Sequence, residues 1–338
     1  VADSPVFVMG AGGWGTALAG VLATRGLATR LWEFDKPYAA EMQATRRNPR
    51  FLPGVELDPL IGLVTGFESL AEARHVVLAV PAAHLRATLE RARPYFRPGQ
   101  LVVSVAKGVE QGSLLTLTQV ARQALDGAGT GFAVRLAALS GPSHAEEVAR
   151  RVPTTVVAAS DEPAAAREAQ SLFSTDRFRV YSSGDLLGVE LGGALKNVVA
   201  LAAGVVDGLG LGDNTKAALM TRGLAEMTRL GVSLGAQRDT FAGLAGMGDL
   251  VVTCMSRHSR NRGVGERLGR GERWEDIKKG MLQVAEGVYS VESALGLARR
   301  QGVEMPICEQ MHQVLFSGAD PQAALKALMT RSLKEEGS

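Results

Sequence analysis

Short apolar runs alternate with amphipathic stretches over the first half of the chain. Val6 to Met9 is followed by a glycine cluster and a helical stretch, Trp14 to Arg25. Thr29 to Trp32, His75 to Val80 and Leu101 to Ala106 are further runs, and Val134 to Ser140, Thr154 to Ala159 and Phe178 to Ser182 continue the series. Runs that are apolar on both faces and separated by helices belong to a parallel sheet covered on both sides. The pattern predicts an α/β fold with a doubly wound sheet.

Beyond about Ser183 the period changes. Leu186 to Val206, Thr215 to Leu234, Val288 to Gln301, Pro306 to Phe316 and Pro321 to Leu333 fit helical spacing. Gly235, Gly302 and Gly318 follow such stretches, as left-handed C-caps do, and Pro306 and Pro321 suit first helical turns. No strand pattern follows. The reading is therefore an α/β domain over residues 1–182 and an all-α domain over 183–338.

Charge changes the picture by exclusion. Thirty-seven Lys and Arg against 35 Asp and Glu leave a net charge of +2. That gives no bulk-charge case for nucleic acid as a partner and none for an acidic disordered chain. Cys254 and Cys308 lie far apart, outside any metal-ligand spacing, and with 5 His a metal site is not expected. Two reduced, buried thiols and no leader-like start predict an intracellular, cytoplasmic protein. The longest apolar stretch, Val189 to Val206, is interrupted by Glu190 and Lys196, so membrane insertion is not expected. Glycine is in excess, 40 residues or about 12% against a usual ~7%, without a three-residue period.

Part of that glycine carries chemistry. Gly10-Ala11-Gly12-Gly13-Trp14-Gly15 reads G-x-G-x-x-G after a strand and at the start of a helix. Gly10 permits the tight turn, Gly12 lets backbone approach a pyrophosphate, and Gly15 lets the helix pack on the sheet. The helix N-terminus offers free N–H groups to phosphates. Glu33 and Asp35, 18 and 20 residues beyond Gly15, are candidate acceptors for an adenosine ribose 2′-OH, which favours NAD over NADP. Either could instead cap the next helix.

Lys107 follows the run LVVSVA, where a parallel strand ends and ligands bind. Ser143, after the Ser140-Gly141-Pro142 turn, either caps a helix or presents its hydroxyl to a ligand. Lys196 lies inside an apolar helix among Val189, Leu195, Val199 and Ala200; it is buried for a purpose or snorkels out. Asn197 is about 100° round from it. Asp249 stands between a glycine turn and an apolar run. Ser256 to Arg262 reads S-R-H-S-R-N-R, a set of forks, hydroxyls and an amide suited to a phosphate dianion or to a solvated basic loop.

GAGGWGTALA (10–19), AKG (106–108), SGPSHAEEV (140–148), GVELGGALKNVVALAAG (188–204), TRGLAEMTRLG (221–231), AGMGDLVVTC (245–254), SRNR (259–262) and VEMPI (303–307) together resemble the bacterial-type NAD(P)-dependent sn-glycerol-3-phosphate dehydrogenases over essentially the whole chain. The resemblance implies an N-terminal Rossmann-type domain and a helical domain like the C-terminal part of 6-phosphogluconate dehydrogenase. It implies an oxidoreductase acting on a CH–OH group, interconverting dihydroxyacetone phosphate and sn-glycerol 3-phosphate. It further implies a cytoplasmic homodimer supplying glycerol 3-phosphate for phospholipid synthesis. By the same resemblance Lys196 is the general acid/base, with Lys107 and Asp249 beside it. Lys107, Gly141, Ser143, Lys196, Asp249, Ser259, Arg260 and Asn261 match substrate positions. Gly13, Trp14, Phe34, Lys107, Ala145, Arg260, Val284 and Glu286 match cofactor positions, added to Gly10, Gly12, Gly15 and Glu33 from the loop argument.

One departure matters, and a second, at Gly13, matters less because backbone N–H groups do the binding there. Many bacterial members carry a basic or imidazole side chain where this chain has Phe34, and the run Trp-Glu-Phe-Asp holds no positive group for a 2′-phosphate. Gly13 is smaller than the Ser often found there. Related 3-hydroxyacid or ketopantoate-type dehydrogenases, or a non-catalytic dinucleotide sensor, would share the first domain.

Overall fold

The computed structural model describes residues 4–126, 133–281, 285–333 and 335. The chain runs β1 (Val6–Met9), α1 (Gly13–Ala23), β2 (Thr29–Trp32), α2 (Lys36–Thr45), β3 (Arg47–Asn48), β4 (Leu52–Glu56), β5 (Ile61–Val64), β6 (His75–Leu78), α3 (Ala82–Ala92), β7 (Leu101–Ser104), α4 (Leu117–Asp126), β8 (Arg135–Ser140), α5 (Ala145–Ala149), β9 (Thr154–Ala159), α6 (Pro163–Phe173) and β10 (Phe178–Ser183). Among the described residues these form an eight-stranded sheet, β10-β9-β8-β7-β6-β1-β2-β5, with β3 and β4 as a separate antiparallel pair.

Alternate residues of each central strand face opposite sides of the sheet, and both sides are covered. Val6 and Val8 face a core with α1 and α6, while Phe7 and Met9 face one with α3 and α4. This is why the strands read as continuous apolar runs rather than as alternation. The chain leaves β1 for β2 on one side and returns to β6 on the other. That makes the carboxyl ends of β1 and β6 the switch point at which open sheets of this kind bind ligands.

One expectation is corrected. The sheet is parallel from β5 across to β8, but β8 and β9 pair antiparallel, with Ala138 opposite Ala159, and β10 follows β9. The link between Ser140 and Thr154 carries only the five-residue α5, which packs on α1. It does not return across the sheet as a parallel crossover must, so β9 starts beside the end of β8.

The rest is helical: α7 (Leu186–Gly208), α8 (Gly212–Ser233), α9 (Arg238–Ala242), a π-helical turn (Leu244–Gly248), α10 (Asp249–Met255), α11 (Arg260–Gly269), α12 (Trp274–Lys279), α13 (Glu286–Gln301), α14 (Pro306–Phe316) and α15 (Pro321–Met329). The axis of this half is α7, capped by Asp185 (2.9 Å from Gly188 N–H) and touched by α8, α10, α11, α13 and α14. It is long and apolar enough to cross a membrane by length and composition, but 94% of its apolar window is buried in the protein. A Cβ at Gly204 would lie 2.0 Å from the Arg262 carbonyl oxygen, and one at Gly265 1.9 Å from that of Leu201. Here α7 and α11 meet backbone to backbone, which accounts for part of the glycine excess.

Candidate active site

The glycine loop is built as a phosphate cradle. Gly10 has φ +118°, and a Cβ there would meet the Ala79 carbonyl oxygen at 2.8 Å. A Cβ at Gly15 would stand 1.9 Å from the Gly10 carbonyl oxygen. A Cβ at Gly12 would have nothing within 4 Å, so the loop is open beside the start of α1, where helix N–H groups are available to an anion. The loop fits a dinucleotide pyrophosphate. Gly13 is held for another reason: a Cβ there would lie 2.7 Å from the Phe51 carbonyl oxygen and 3.7 Å from the Ala145 Cβ. Trp14 donates through its indole to the Val105 carbonyl, 3.1 Å, tying α1 to the end of β7.

At the tip of β2 the two acids divide. Glu33 is buried, its Oε1 accepts from Asp35 N–H at 3.0 Å, and burial pushes its carboxyl up. Asp35 is the cap of α2, accepting from Tyr38 N–H, and is paired with Arg50 at 3.0 Å. Phe34 is 75% exposed between them. The local run has no positive group, but the fold supplies one from fifteen positions downstream.

The centre of the site is the buried carboxylate of Asp249. Lys196 donates to its Oδ1 and, at 2.7 Å, to Thr253 Oγ1. Lys107 donates to Asp249 Oδ2 at 2.7 Å and to the Gly141 carbonyl at 3.0 Å. Lys196 is 5% exposed, so it does not snorkel. Burial, with the charge of Lys107, lowers its pKa to about 8 against the pull of Asp249. Burial would raise the Asp249 carboxyl, but Lys107 and Lys196 outweigh it and hold the carboxyl below its usual range. Two glycines of α7 admit this cluster. A Cβ at Gly192 would be 2.6 Å from the Ala245 carbonyl oxygen, and one at Gly193 2.7 Å from Ser140 Oγ and 3.4 Å from Lys107 Cγ.

Around it stand the other candidates. Ser143 donates to the Gly141 carbonyl at 2.9 Å, the acceptor it shares with Lys107, and is not the cap of α5; His144 is. Burial, then Lys196, hold the His144 imidazole below its usual range. Ser259 caps α11 by accepting from Arg262 N–H, which leaves Arg260 and Asn261 in the first turn. Asn261 donates to Asn197 Oδ1 and accepts from Gly287 N–H, both at 2.9 Å, so one amide N–H is left for a ligand. Glu286, at the start of α13, is half-buried and lies in the field of Arg260, Lys107 and Lys196; desolvation raises its carboxyl. Val284 lies outside the described residues. The basic run does not act as one cluster: Arg262 turns to Asp207 on α7 at 2.7 Å.

Residues 5–166 match the family model for the NAD-dependent glycerol-3-phosphate dehydrogenase N-terminus, and residues 185–326 match that for the C-terminus. The chain belongs to the NAD-dependent glycerol-3-phosphate dehydrogenase family. It is 52% identical over 97% of its length to the glycerol-3-phosphate dehydrogenase [NAD(P)+] of Geobacter sulfurreducens, covering 98% of that protein. The corresponding protein of Carboxydothermus hydrogenoformans is 48% identical over 98% of both chains. The crystal structure of glycerol-3-phosphate dehydrogenase from Coxiella burnetii superposes with a TM-score of 0.92 at 38% identity, covering 97% of this chain and 99% of that one. A ketopantoate reductase from Ralstonia eutropha reaches a TM-score of 0.59 at 14% identity over 96% and 99% of the two chains, a likeness of fold alone.

In this dehydrogenase fold, sequence reading misses Thr253, although it stands one helical turn after Asp249, where an i, i+4 contact is expected. It also misses Glu190, which is half-buried on α7 and accepts from Thr116 Oγ1 at 2.7 Å and Thr118 N–H at 2.9 Å at the start of α4. Burial raises that carboxyl. Nothing in the sequence pairs residue 190 with residue 118. Among the described residues there is no His/Cys/Asp/Glu group that could hold a metal. A lysine of lowered pKa and a second cation around one carboxylate are chemically able to exchange a proton with a bound group, and the α11 N-terminus with Arg260 is able to attract an anion.

Proposed function

We propose that this chain interconverts dihydroxyacetone phosphate and sn-glycerol 3-phosphate with NAD(P)H. The observation that carries the reading is the buried Lys196–Asp249–Lys107 cluster at the carboxyl edge of the sheet, on the same edge as the Gly10–Gly15 cradle. The cofactor would be held by Gly10, Gly12, Gly13, Trp14 and Gly15 at the pyrophosphate, by Glu33 and Phe34 at the adenosine, and by Lys107, Ala145, Arg260 and Glu286 toward the other end. When bound, the nicotinamide supplies the hydride exchange.

Lys196 is the acid/base. In alcohol oxidation its neutral amine takes the hydroxyl proton; in ketone reduction its ammonium gives that proton back. Asp249 and Thr253 fix the direction of its Nζ. Lys107 adds positive charge where alkoxide charge develops. Gly141 and Ser143 border the substrate, and the first turn of α11, with Ser259, Arg260 and Asn261, takes its phosphate. That remote grip positions the reacting carbon.

We assign the dinucleotide-binding unit to residues 1–182 and the catalytic helical unit to 183–338. The family resemblance supports a homodimer, a cytoplasmic location and supply of glycerol 3-phosphate for phospholipid synthesis. The deciding experiment follows NADH absorbance on addition of dihydroxyacetone phosphate, a ketopantoate-like acid, or neither. Oxidation with the first alone is expected. Turnover of the acid, or cofactor binding without turnover, would replace this reading with one of its rivals.

A further inference from the structure

Arg50 is delivered to the adenosine end of the cradle by a buried chain of hydrogen bonds. Asn48, fully buried, donates to the Ala11 carbonyl at 2.8 Å and to Thr16 Oγ1 at 2.7 Å, both in the glycine-loop segment. Tyr38, also buried, donates to Asn48 Oδ1 at 2.6 Å and accepts from the backbone N–H of Arg50 at 3.0 Å. The neighbouring Phe51 carbonyl lies against Gly13. The position of residue 50 is thereby set by the dinucleotide loop itself. Its guanidinium lies over the Tyr38 ring, 3.9 Å from the centroid, and binds Asp35 Oδ2 at 3.0 Å while 52% exposed.

We propose that Arg50 is the cofactor-specificity residue of this chain: it leaves Asp35 to bind the 2′-phosphate of NADP, whereas buried Glu33 takes the 2′-OH of NAD. The proposal rests on the dinucleotide reading of the Gly10–Gly15 loop. Its chemistry is that of a planar fork already stacked on an aromatic ring, which loses little freedom in exchanging a carboxylate for a phosphate. Asp35 holds that fork at the tip of β2 and at the same time repels a second anion. The adenosine end thus admits either cofactor, with Asp35 setting the cost of the phosphorylated one.

The test is equilibrium binding to the full chain, by calorimetry, of adenosine 2′,5′-bisphosphate and AMP and of NADPH and NADH. Arg50→Gln, which keeps a stem over Tyr38, should raise the dissociation constants of the two 2′-phosphorylated ligands about tenfold or more. Those of AMP and NADH should stay within about twofold. Asp35→Asn, which keeps the helix cap, should tighten NADPH selectively. An equal change in all four ligands, or none, overturns the role of Arg50 while leaving the dinucleotide reading intact. If neither NADH nor NADPH binds the wild-type chain, both readings fall together. Unaltered melting temperatures in the variants separate binding from folding.

Discussion

Lys107, reaching in from the end of β7, and Lys196, from the middle of α7, bind opposite oxygens of one buried carboxylate, that of Asp249. The arrangement lets Asp249 stabilise the charged form of Lys196 in two ways. It screens the two ammonium groups from each other, and it pulls the Lys196 pKa up. Burial and Lys107 win, leaving that pKa at about 8.

The pH dependence follows with a definite sign. Oxidation of glycerol 3-phosphate needs neutral Lys196, so kcat/KM should rise with pH and level off above about 8. Ketone reduction needs the ammonium and should fall over the same range. Lys107→Met removes a cation that lowers the Lys196 pKa, so the limb should move to higher pH. Asp249→Asn removes the carboxylate that raises it, so the limb should move to lower pH. Both variants will be slow, but the position of the limb is independent of the maximal rate. An unmoved limb in both would mean that another group titrates.

Lys196→Ala should reduce kcat by about 100- to 10,000-fold, the usual worth of a general acid/base. NADH affinity, measured by fluorescence titration, should change little, because the cradle is built on the sheet side. Turnover close to wild type would assign the proton to another group.

Arg260→Ala should raise KM for glycerol 3-phosphate and narrow the preference for it over glycerol. A charge-assisted contact to a phosphate is worth about 1.5–3 kcal/mol, or roughly 10- to 150-fold in kcat/KM. Arg262→Ala should instead lower the melting temperature with little change in that preference, because Arg262 serves Asp207 on α7.

The division between legible and illegible parts follows from what pattern can carry. The central strands and α7 were readable because burial on all sides forces a continuous apolar text, and the loop was readable because Gly10 and Gly15 each answer a clash. Lys196 was recognisable as a charge among Val189, Val199 and Ala200. The direction of β9 was not readable, since an apolar run has no sense of orientation and only the length of the α5 link sets it. The β3–β4 hairpin carries no apolar run, so the pairing of Arg50 with Asp35 could not be foreseen from the Trp-Glu-Phe-Asp text. Nor could the turn of Arg262 out of the SRNR run toward Asp207 on α7.

Outside the site, Glu226 is 6% exposed and accepts from the N–H of Ile307 at 2.9 Å, at the start of α14. Burial pushes its carboxyl up to about 7 from a usual 4.5. Between those values the folded chain holds a proton that the unfolded chain has lost, so stability falls as pH rises through this window. The loss is at most about 3 kcal/mol. Glu226→Gln, which does not titrate, should therefore gain melting temperature relative to wild type more at pH 8 than at pH 5 (about the two ends of the window). A constant difference across that range would show that Glu226 is ionised in the fold throughout.

The cradle itself can be separated from the fold by two glycines three residues apart. Gly12 has φ −64°, and a methyl added there would have no atom within 4 Å, so Ala is free of backbone strain and of clash. That methyl would project into the space in front of the α1 N-terminus. Gly12→Ala should leave the melting temperature within about 2 °C while weakening NADH about tenfold or more, because a pyrophosphate can no longer reach the backbone N–H groups. At Gly15 the methyl would stand 1.9 Å from the Gly10 carbonyl oxygen, a backbone atom that cannot yield without moving β1 or α1. Gly15→Ala should lower the melting temperature by several degrees, the consequence of about 1–3 kcal/mol of overpacking. Its affinity loss should follow from that distortion. The contrast is the prediction: the same added methyl is a binding defect at residue 12 and a folding defect at residue 15. If Gly12→Ala binds NADH as wild type does, the pyrophosphate does not lie over this loop.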